Sequence, residues 1–270
     1  MQTATNALII IPARYSSTRL PGKPLLMIAG KTMLQRVCEI AQQAAAQLPG
    51  VGVLVATDDM RILEHATAIG VNAVMTPSEC ATGTDRLIAA IEQLPVKPNS
   101  VINFQGDSPL TPVAILTALL AKLTSSKTNT VVTPMVQLSW AALDSLRTTK
   151  QTTPFSGTTV VVNTDQEALW FSKQIIPAIR DEAKLRASSN LSPIYQHLGL
   201  YGYTLDMLQT FAKLPSGYYE QLEGLEQLRL LENGYKIHTV KVELPDLRAW
   251  RGVDTLDDAK LVEQLLTAAS

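Results

Sequence analysis

Cysteine and histidine are scarce in this chain. Cys38 and Cys80 are the only two cysteines among 270 residues, which excludes a disulfide scaffold and a four-cysteine zinc site. The three histidines, His65, His197 and His238, argue against a histidine-rich metal centre. Charge is also thin. Charged residues make up 17% of the chain, below the roughly 25% of an average soluble domain. The 23 basic and 24 acidic side chains leave a formal net charge of −1, so no strong overall field draws the protein to nucleic acid or to an anionic membrane. A long hydrophobic run is missing as well. The longest apolar start, Ala7 to Ile11, is too short for a signal h-region or a membrane span, and no basic stretch precedes it. The expectation is a cytoplasmic protein with no membrane and no nucleic-acid partner.

Hydrophobic residues reach 46%, enough for a sizeable core, and their pattern is informative. Ala7 to Ile11 is unbroken and stops at Pro12, as a strand buried on both faces does. Val51 to Ala56, Asn72 to Met75 and Ser100 to Phe104 read as further strands. Between them lie helical patterns: Lys31 to Ala46, a helix through Ile62, Leu63 and Ala66 capped from Thr57-Asp58-Asp59, and Thr84 to Leu94. Thr111-Pro112 offers an N-cap and a proline at the first helical position before Val113 to Leu123. This alternation predicts an α/β fold with a doubly wound, mostly parallel sheet. The second half is β-rich at Thr130 to Val136, Thr158 to Asn163 and Glu167 to Ser172. Ile194 to Tyr203 is a mixed aromatic segment. Glu220 to Glu232 reads as one helix and Tyr235 to Val242 as a strand. Thr255-Leu256-Asp257-Asp258 resembles a capping box that opens a last helix to about Leu266. The expectation is a single domain over residues 1–270, with a β-rich insertion at about 130–215 for substrate specificity or subunit contacts.

In doubly wound sheets ligands sit beyond the carboxyl ends of the strands. The first such end runs from Arg14 to Pro24 and sets Arg14, Arg19 and Lys23 among hydroxyl side chains. That composition suits a polyphosphate, because guanidinium groups contact phosphate oxygens bidentately and lysine acts as a point charge. The pattern is neither a Walker loop nor a dinucleotide fingerprint, and an ordinary solvated loop is the alternative. At the fourth strand end stands Gln105-Gly106-Asp107, where Asp107 is a reasonable Mg²⁺ ligand. Gly252-Val253-Asp254 repeats the theme before a helix. Asp254 reads either as a helix cap or, paired with Asp107, as half of a magnesium clamp.

Several stretches resemble the 3-deoxy-manno-octulosonate cytidylyltransferases. They are Ile10-Ile11-Pro12-Ala13-Arg14-Tyr15, Ser17 to Leu25, Val55-Ala56-Thr57-Asp58, Thr82-Gly83-Thr84-Asp85-Arg86, Gln105-Gly106-Asp107, His197 to Tyr203, Leu225 to Arg229 and Gly252 to Thr255. The resemblance implies a nucleotide-diphospho-sugar transferase-like fold and CMP transfer from CTP to the anomeric hydroxyl of a 2-keto-3-deoxy sugar acid, for lipopolysaccharide synthesis. It implies Mg²⁺ as cofactor, held by Asp107 and Asp254, and a homodimer. By the same likeness Arg14, Arg19, Lys23 and Asp107 are catalytic. Pro12, Ala13, Arg14, Lys23, Thr82, Gly83, Thr84, Arg86 and Gln105 meet the nucleotide. Gln105, His197, Tyr201, Glu226 and Gln227 line the sugar pocket. The departures gather on the sugar side: Ser108 stands where the family has glutamate, Lys173 where it has arginine, and Thr159 where it has lysine. They keep open another acceptor, such as 8-amino-Kdo, a nonulosonic acid or a phosphonate. A non-catalytic nucleotide-binding regulator is the reading from a different class.

Overall fold

A computed structural model describes residues 6–16, 20–80, 82–126, 128–244, 250 and 252–268. Its strands are β1 (Ala7–Ala13), β2 (Met27–Ile28), β3 (Lys31–Thr32), β4 (Val51–Thr57), β5 (Asn72–Met75), β6 (Ser100–Asn103), β7 (Val131–Ser139), β8 (Thr158–Val162), β9 (Ala168–Ser172), β10 (Leu191–His197), β11 (Tyr201–Thr204) and β12 (Ile237–Lys241). Its α-helices are α1 (Met33–Ala45), α2 (Met60–Ala68), α3 (Gly83–Glu92), α4 (Val113–Thr124), α5 (Trp140–Thr152), α6 (Glu182–Ser188), α7 (Leu205–Lys213), α8 (Tyr218–Glu223), α9 (Leu228–Glu232) and α10 (Leu256–Ala268).

Ten strands form one sheet in the order β5-β4-β1-β6-β11-β7-β10-β8-β9, with β12 beside β7. The first four are parallel. From β6 onward the path turns antiparallel, except that β12 runs parallel to β7. The α/β architecture is therefore the one expected, and its parallel half is where the alternation was read. The β-rich stretch at 130–215 continues the same sheet rather than standing apart from it. Alternation along β1 explains its unbroken apolar run. Ile9 and Ile11 pack with α1 and α4 on one face, while Leu8 and Ile10 pack with α3 and α7 on the other, so both faces need apolar side chains.

Three local readings change. Lys31–Thr32 forms a strand, and α1 starts only at Met33, with the Thr32 hydroxyl accepting from Gln35 N at 3.1 Å. Pro112 is itself the cap residue of α4, without a side-chain cap, while the Thr111 hydroxyl donates to the Ser108 carbonyl. The single helix expected over Glu220 to Glu232 is two, α8 and α9. Gly224 breaks it in the left-handed region at φ 62°, where a side chain is disfavoured. The turn that follows carries Leu225, Glu226 and Gln227.

The expected capping box at the last helix is present. Thr255 Oγ1 accepts from Asp258 N at 3.2 Å, and Asp258 Oδ2 accepts from Thr255 N at 2.9 Å. Thr255, not Asp254, thus caps α10. A small third core of Leu20, Ile28, Met33, Val253, Ala259 and Val262 docks α10 against the β2–β3 hairpin. That packing carries Asp254 back to the carboxyl end of the parallel strands.

Candidate active site

Gly106 sits where β6 gives way to a loop, pressed so close to β1 that a Cβ there would meet the Pro12 carbonyl oxygen at 2.9 Å. The tight approach sets Asp107 beside the first loop. Asp107's own carbonyl then accepts from Val253 N at 2.9 Å. This one backbone bond ties together two loops that lie far apart in sequence. It brings Asp254 alongside Asp107, and the Lys23 ammonium donates to both, at 2.9 Å to Asp107 Oδ2 and 3.2 Å to Asp254 Oδ1. The second oxygen of Asp107 accepts from the Ser108 hydroxyl at 3.3 Å.

Lys23 reaches that position because its loop is held at both ends. Gly22, left-handed at φ 71°, donates its N–H to the Tyr15 carbonyl at 2.9 Å. The Arg61 guanidinium lies 3.3 Å from the centre of the Tyr15 ring, a cation–π contact from the start of α2. Nothing in the sequence pattern pointed to Tyr15 or Arg61 as anchors.

A cavity of about 380 Å³ opens above this arrangement, lined by Pro12, Ala13, Arg14, Ser16, Lys23, Pro24, Gly83, Gln105, Gly106, Asp107 and Asp254. Eight residues expected at the nucleotide or metal therefore share one space: Pro12, Ala13, Arg14, Lys23, Gly83, Gln105, Asp107 and Asp254. Arg19 lies outside the described residues. Gln105 is oriented by Asn103, whose side-chain oxygen accepts from Gln105 Nε2 at 3.0 Å. Asn103 is a buried polar residue in an apolar strand, a signal that could have been used.

The segment 82–86 behaves differently from the expectation of direct ligands. The Thr82 hydroxyl accepts from Asp85 N at 3.0 Å, and Asp85 Oδ2 accepts from Thr82 N at 2.9 Å, a capping box that fixes the start of α3. Gly83 is thereby presented to the cavity. Thr84 is buried, and its hydroxyl lies 3.5 Å from Glu226 Oε2. Arg86 does not reach the cavity. It is wholly buried, and its guanidinium donates to Asp58 Oδ2 at 2.8 Å and to Thr76 Oγ1 at 2.5 Å. A cation without solvent needs an anion within the fold, and Asp58 provides it, so Arg86 supports the site from beneath.

Of the residues expected at the acceptor, Gln105 lines the cavity, whereas His197, Tyr201, Glu226 and Gln227 are not among its lining residues. Tyr201 in β11 pairs directly with Asn103, so this strand is the seam between the two halves. His197 is buried, 4.9 Å from Phe171 and 5.4 Å from Tyr201 between ring centres. The Thr133 hydroxyl donates to the Leu200 carbonyl at 2.8 Å and lies 2.8 Å from His197 Nε2. Its single proton thus committed, it accepts from Nε2–H, which leaves Nδ1 as a lone-pair acceptor. Burial, aided by the nearby Lys173 charge, pushes the imidazole pKa down to about 3, so His197 is neutral at pH 7. Burial raises the Glu226 carboxyl above the ordinary glutamate range, and the Arg229 charge pulls the other way. The buried amide nitrogen of Gln227 finds no hydrogen-bond partner among the described residues. A buried, unpaired amide donor is a group a polar ligand could satisfy.

The chain matches the cytidylyltransferase family model over residues 8–237. A 3-deoxy-manno-octulosonate cytidylyltransferase of Maricaulis maris is 42% identical over 266 residues, 97% of this chain and 98% of that one. The chain belongs to the cytidylyltransferase family. An 8-amino-3,8-dideoxy-manno-octulosonate cytidylyltransferase of Shewanella woodyi is similar at 40% identity, again over 97% of this chain and 98% of the relative. Among solved structures, a CMP:2-keto-3-deoxy-manno-octonic acid synthetase complexed with CTP is 37% identical. It covers 98% of this chain and 99% of its own, with a TM-score of 0.82.

Within this cytidylyltransferase the three sequence departures have distinct positions. Ser108 faces the Asp107 carboxylate rather than the sugar side. Thr159 is fully buried, and its hydroxyl donates to the Gln174 carbonyl at 2.7 Å and accepts from Ile176 N at 3.1 Å. It fastens the 173–177 segment and presents nothing to the pocket. Lys173 in the same segment has its N–H held by Glu223 Oε2 at 2.7 Å and its carbonyl by the Lys150 ammonium at 2.5 Å. Its half-buried ammonium, whose pKa burial lowers, stands close enough to His197 to depress the imidazole.

Proposed function

We propose that this protein transfers CMP from CTP to the anomeric hydroxyl of 3-deoxy-manno-octulosonate, releasing pyrophosphate, and acts in the cytoplasm in lipopolysaccharide synthesis. The observation that carries the reading is the meeting of Lys23, Asp107 and Asp254 at one cavity that Arg14, Gly83 and Gln105 also line. The donor set suits magnesium. Two hard carboxylates come from separate loops, and no cluster of three or more His, Cys, Asp or Glu forms among the described residues. That matches an ion that keeps waters and takes phosphate oxygens. When bound, Mg²⁺ would offset triphosphate charge and lower the pKa of a nearby hydroxyl.

The chain's own residues do the rest. Arg14 and Lys23 hold phosphate oxygens, which lowers the cost of charge building on the leaving pyrophosphate. The backbone at Ala13, Gly83 and Gly106 allows close approach of the nucleotide. Neutral His197 accepts a sugar hydroxyl at Nδ1, Gln227 donates from its amide, and Lys173 faces the acid's carboxylate. These contacts align the attacking oxygen with the α-phosphorus, and positioning of this kind supplies much of the acceleration in phosphoryl-type transfer.

The 40% identity to an 8-amino-3,8-dideoxy-manno-octulosonate cytidylyltransferase favours a second reading, with that amino sugar acid as acceptor. The test is pyrophosphate release from CTP and Mg²⁺ with a panel of both octulosonates, a nonulosonic acid and a phosphonate. Turnover of 3-deoxy-manno-octulosonate supports the proposal, and turnover of its 8-amino analogue alone supports the second reading. Turnover only of another acid replaces it, and binding of CTP without turnover of any acceptor returns the non-catalytic alternative.

The assembly is a homodimer in this reading. Strand β9 ends the sheet, and Leu169, Tyr218 and Leu222 nearby in the fold's second half are each more than half exposed. Exposed apolar side chains on an edge strand (Leu169) and on α8 beside it (Tyr218 and Leu222) favour pairing with a second copy. Equilibrium sedimentation at micromolar concentration tests it. Among the described residues no helix is long and apolar enough to cross a membrane.

A further inference from the structure

Lys23 is shared between two tasks that one ammonium cannot perform at once. It lines the cavity with Arg14, where a triphosphate would seek it. Yet it donates to Asp107 and Asp254 together, and only 15% of its side chain is exposed. A divalent ion on the same carboxylates would stand against this ammonium at contact distance, and like charges so close repel strongly in a partly desolvated site.

We propose that Lys23 is the internal counter-ion of the metal site, holding Asp107 and Asp254 until a nucleoside triphosphate draws the ammonium away, so that divalent cation and nucleotide bind as a coupled pair. This rests on the reading of Asp107 and Asp254 as cation ligands and deepens it with an order of assembly.

Three features support the exchange. The backbone at Lys23 is anchored by the Gly22–Tyr15 bond and by Pro24 in the short 3-10 turn Lys23–Leu25, so only the side chain need move, and its stem is flexible. The charges also favour it. A triphosphate offers the lysine more negative charge than the two carboxylates it gives up. Finally, the Asp107 carboxylate is held by more than the lysine. Ser108 binds its other oxygen, and its backbone carbonyl is tied to Val253 N. The ligand pair therefore stays assembled when the ammonium leaves.

The experiment titrates Mn²⁺ into the full chain and reads free Mn²⁺ by electron paramagnetic resonance, with and without α,β-methylene-CTP. It uses wild type, Lys23→Met, Lys23→Gln as a second neutral variant, and Asp254→Asn as the ligand-loss control. Without nucleotide, wild type binds Mn²⁺ weakly and the neutral variants bind about tenfold more tightly, the scale of a competing, partly exposed ion pair. With the CTP analogue, wild type tightens at least as far as the variants and their advantage disappears. Equal Mn²⁺ affinity of wild type and both neutral variants without nucleotide overturns the proposal while leaving the carboxylates as ligands. If Asp254→Asn binds as wild type does in every condition, the metal reading falls and the proposal with it. Pyrophosphate release by wild type, measured separately, reports on the enzymatic reading independently of either outcome.

Discussion

Replacing Arg86 with methionine separates a supporting role from a direct one. Methionine keeps much of the volume and removes the charge. Asp58, only 10% exposed and bonded to Arg86 at 2.8 Å, is then left as a buried carboxylate without its cation, and Thr76 Oγ1 loses its donor. Breaking a buried pair on one side costs about 3–5 kcal/mol. For a domain of this size that lowers Tm by roughly 6–20 °C, read by differential scanning fluorimetry. Asp58→Asn in the same chain removes the stranded charge and recovers part of the loss, because the penalty lies in the unpaired ion rather than in the missing bond. Activity measured below the variant's melting range should keep the KM for CTP within about threefold of wild type, since the guanidinium does not reach the cavity and less than 1 kcal/mol of nucleotide binding is at stake. A Tm within about 2 °C of wild type, together with a large rise in KM for CTP, would refute the buried-pair assignment and return Arg86 to the nucleotide.

Other predictions follow from particular contacts. His197 has its pKa pushed down to about 3 from 6.5, so the unfolded chain takes up its proton first as pH falls. The residue is neutral in both states above about pH 6.5, and below it stability drops by up to about 1.4 kcal/mol per pH unit until the folded pKa is reached. Urea midpoints at pH 7 and pH 5 should therefore diverge more for wild type than for His197→Gln. Gly106→Ala puts a Cβ at 2.9 Å from the Pro12 carbonyl and must push β6's loop off β1, so kcat should fall about 10–100-fold from displaced geometry with only a small change in Tm. Ser108→Ala removes a 3.3 Å bond to a partly exposed carboxylate, worth about 1 kcal/mol, and should weaken Mn²⁺ binding by less than about tenfold.

The parallel half of the sheet was legible because burial on both faces imposes unbroken apolar runs, and the strand ends were then the places to look for polar residues. Asp107 could be nominated there, and Asp254 by the repeated Gly-x-Asp theme and the family likeness that paired them, but the contacts that bring them together could not be read. These contacts are a bond from Val253 N to the Asp107 carbonyl and the packing of α10, neither of which leaves a local trace. Lys23 was read as a phosphate ligand alone, because its two carboxylate partners lie 84 and 231 residues away. Periodicity through Glu220 to Glu232 concealed the break at Gly224, since apolar residues resume in helical register after the turn. That turn carries Glu226 to the Thr84 hydroxyl and buries Gln227. Helix α5 was not anticipated. Only Trp140 and Leu143 in it are buried, too few to set a clear stripe. Arg86 looked like a ligand by its motif, and its burial is decided by Asp58 and Thr76 on neighbouring strand ends.

The most direct test is pyrophosphate release from CTP, 3-deoxy-manno-octulosonate and Mg²⁺ by wild type and Asp254→Asn. The Thr255–Asp258 capping box does not use the Asp254 side chain, so α10 keeps its cap in the variant, and its Tm, checked alongside, reports any loss from the part-exposed Lys23 pair. The two-carboxylate site predicts release by wild type and a drop of at least ~10²-fold in the variant, the scale of losing one key electrostatic group. A folded variant that turns over at the wild-type rate would contradict it.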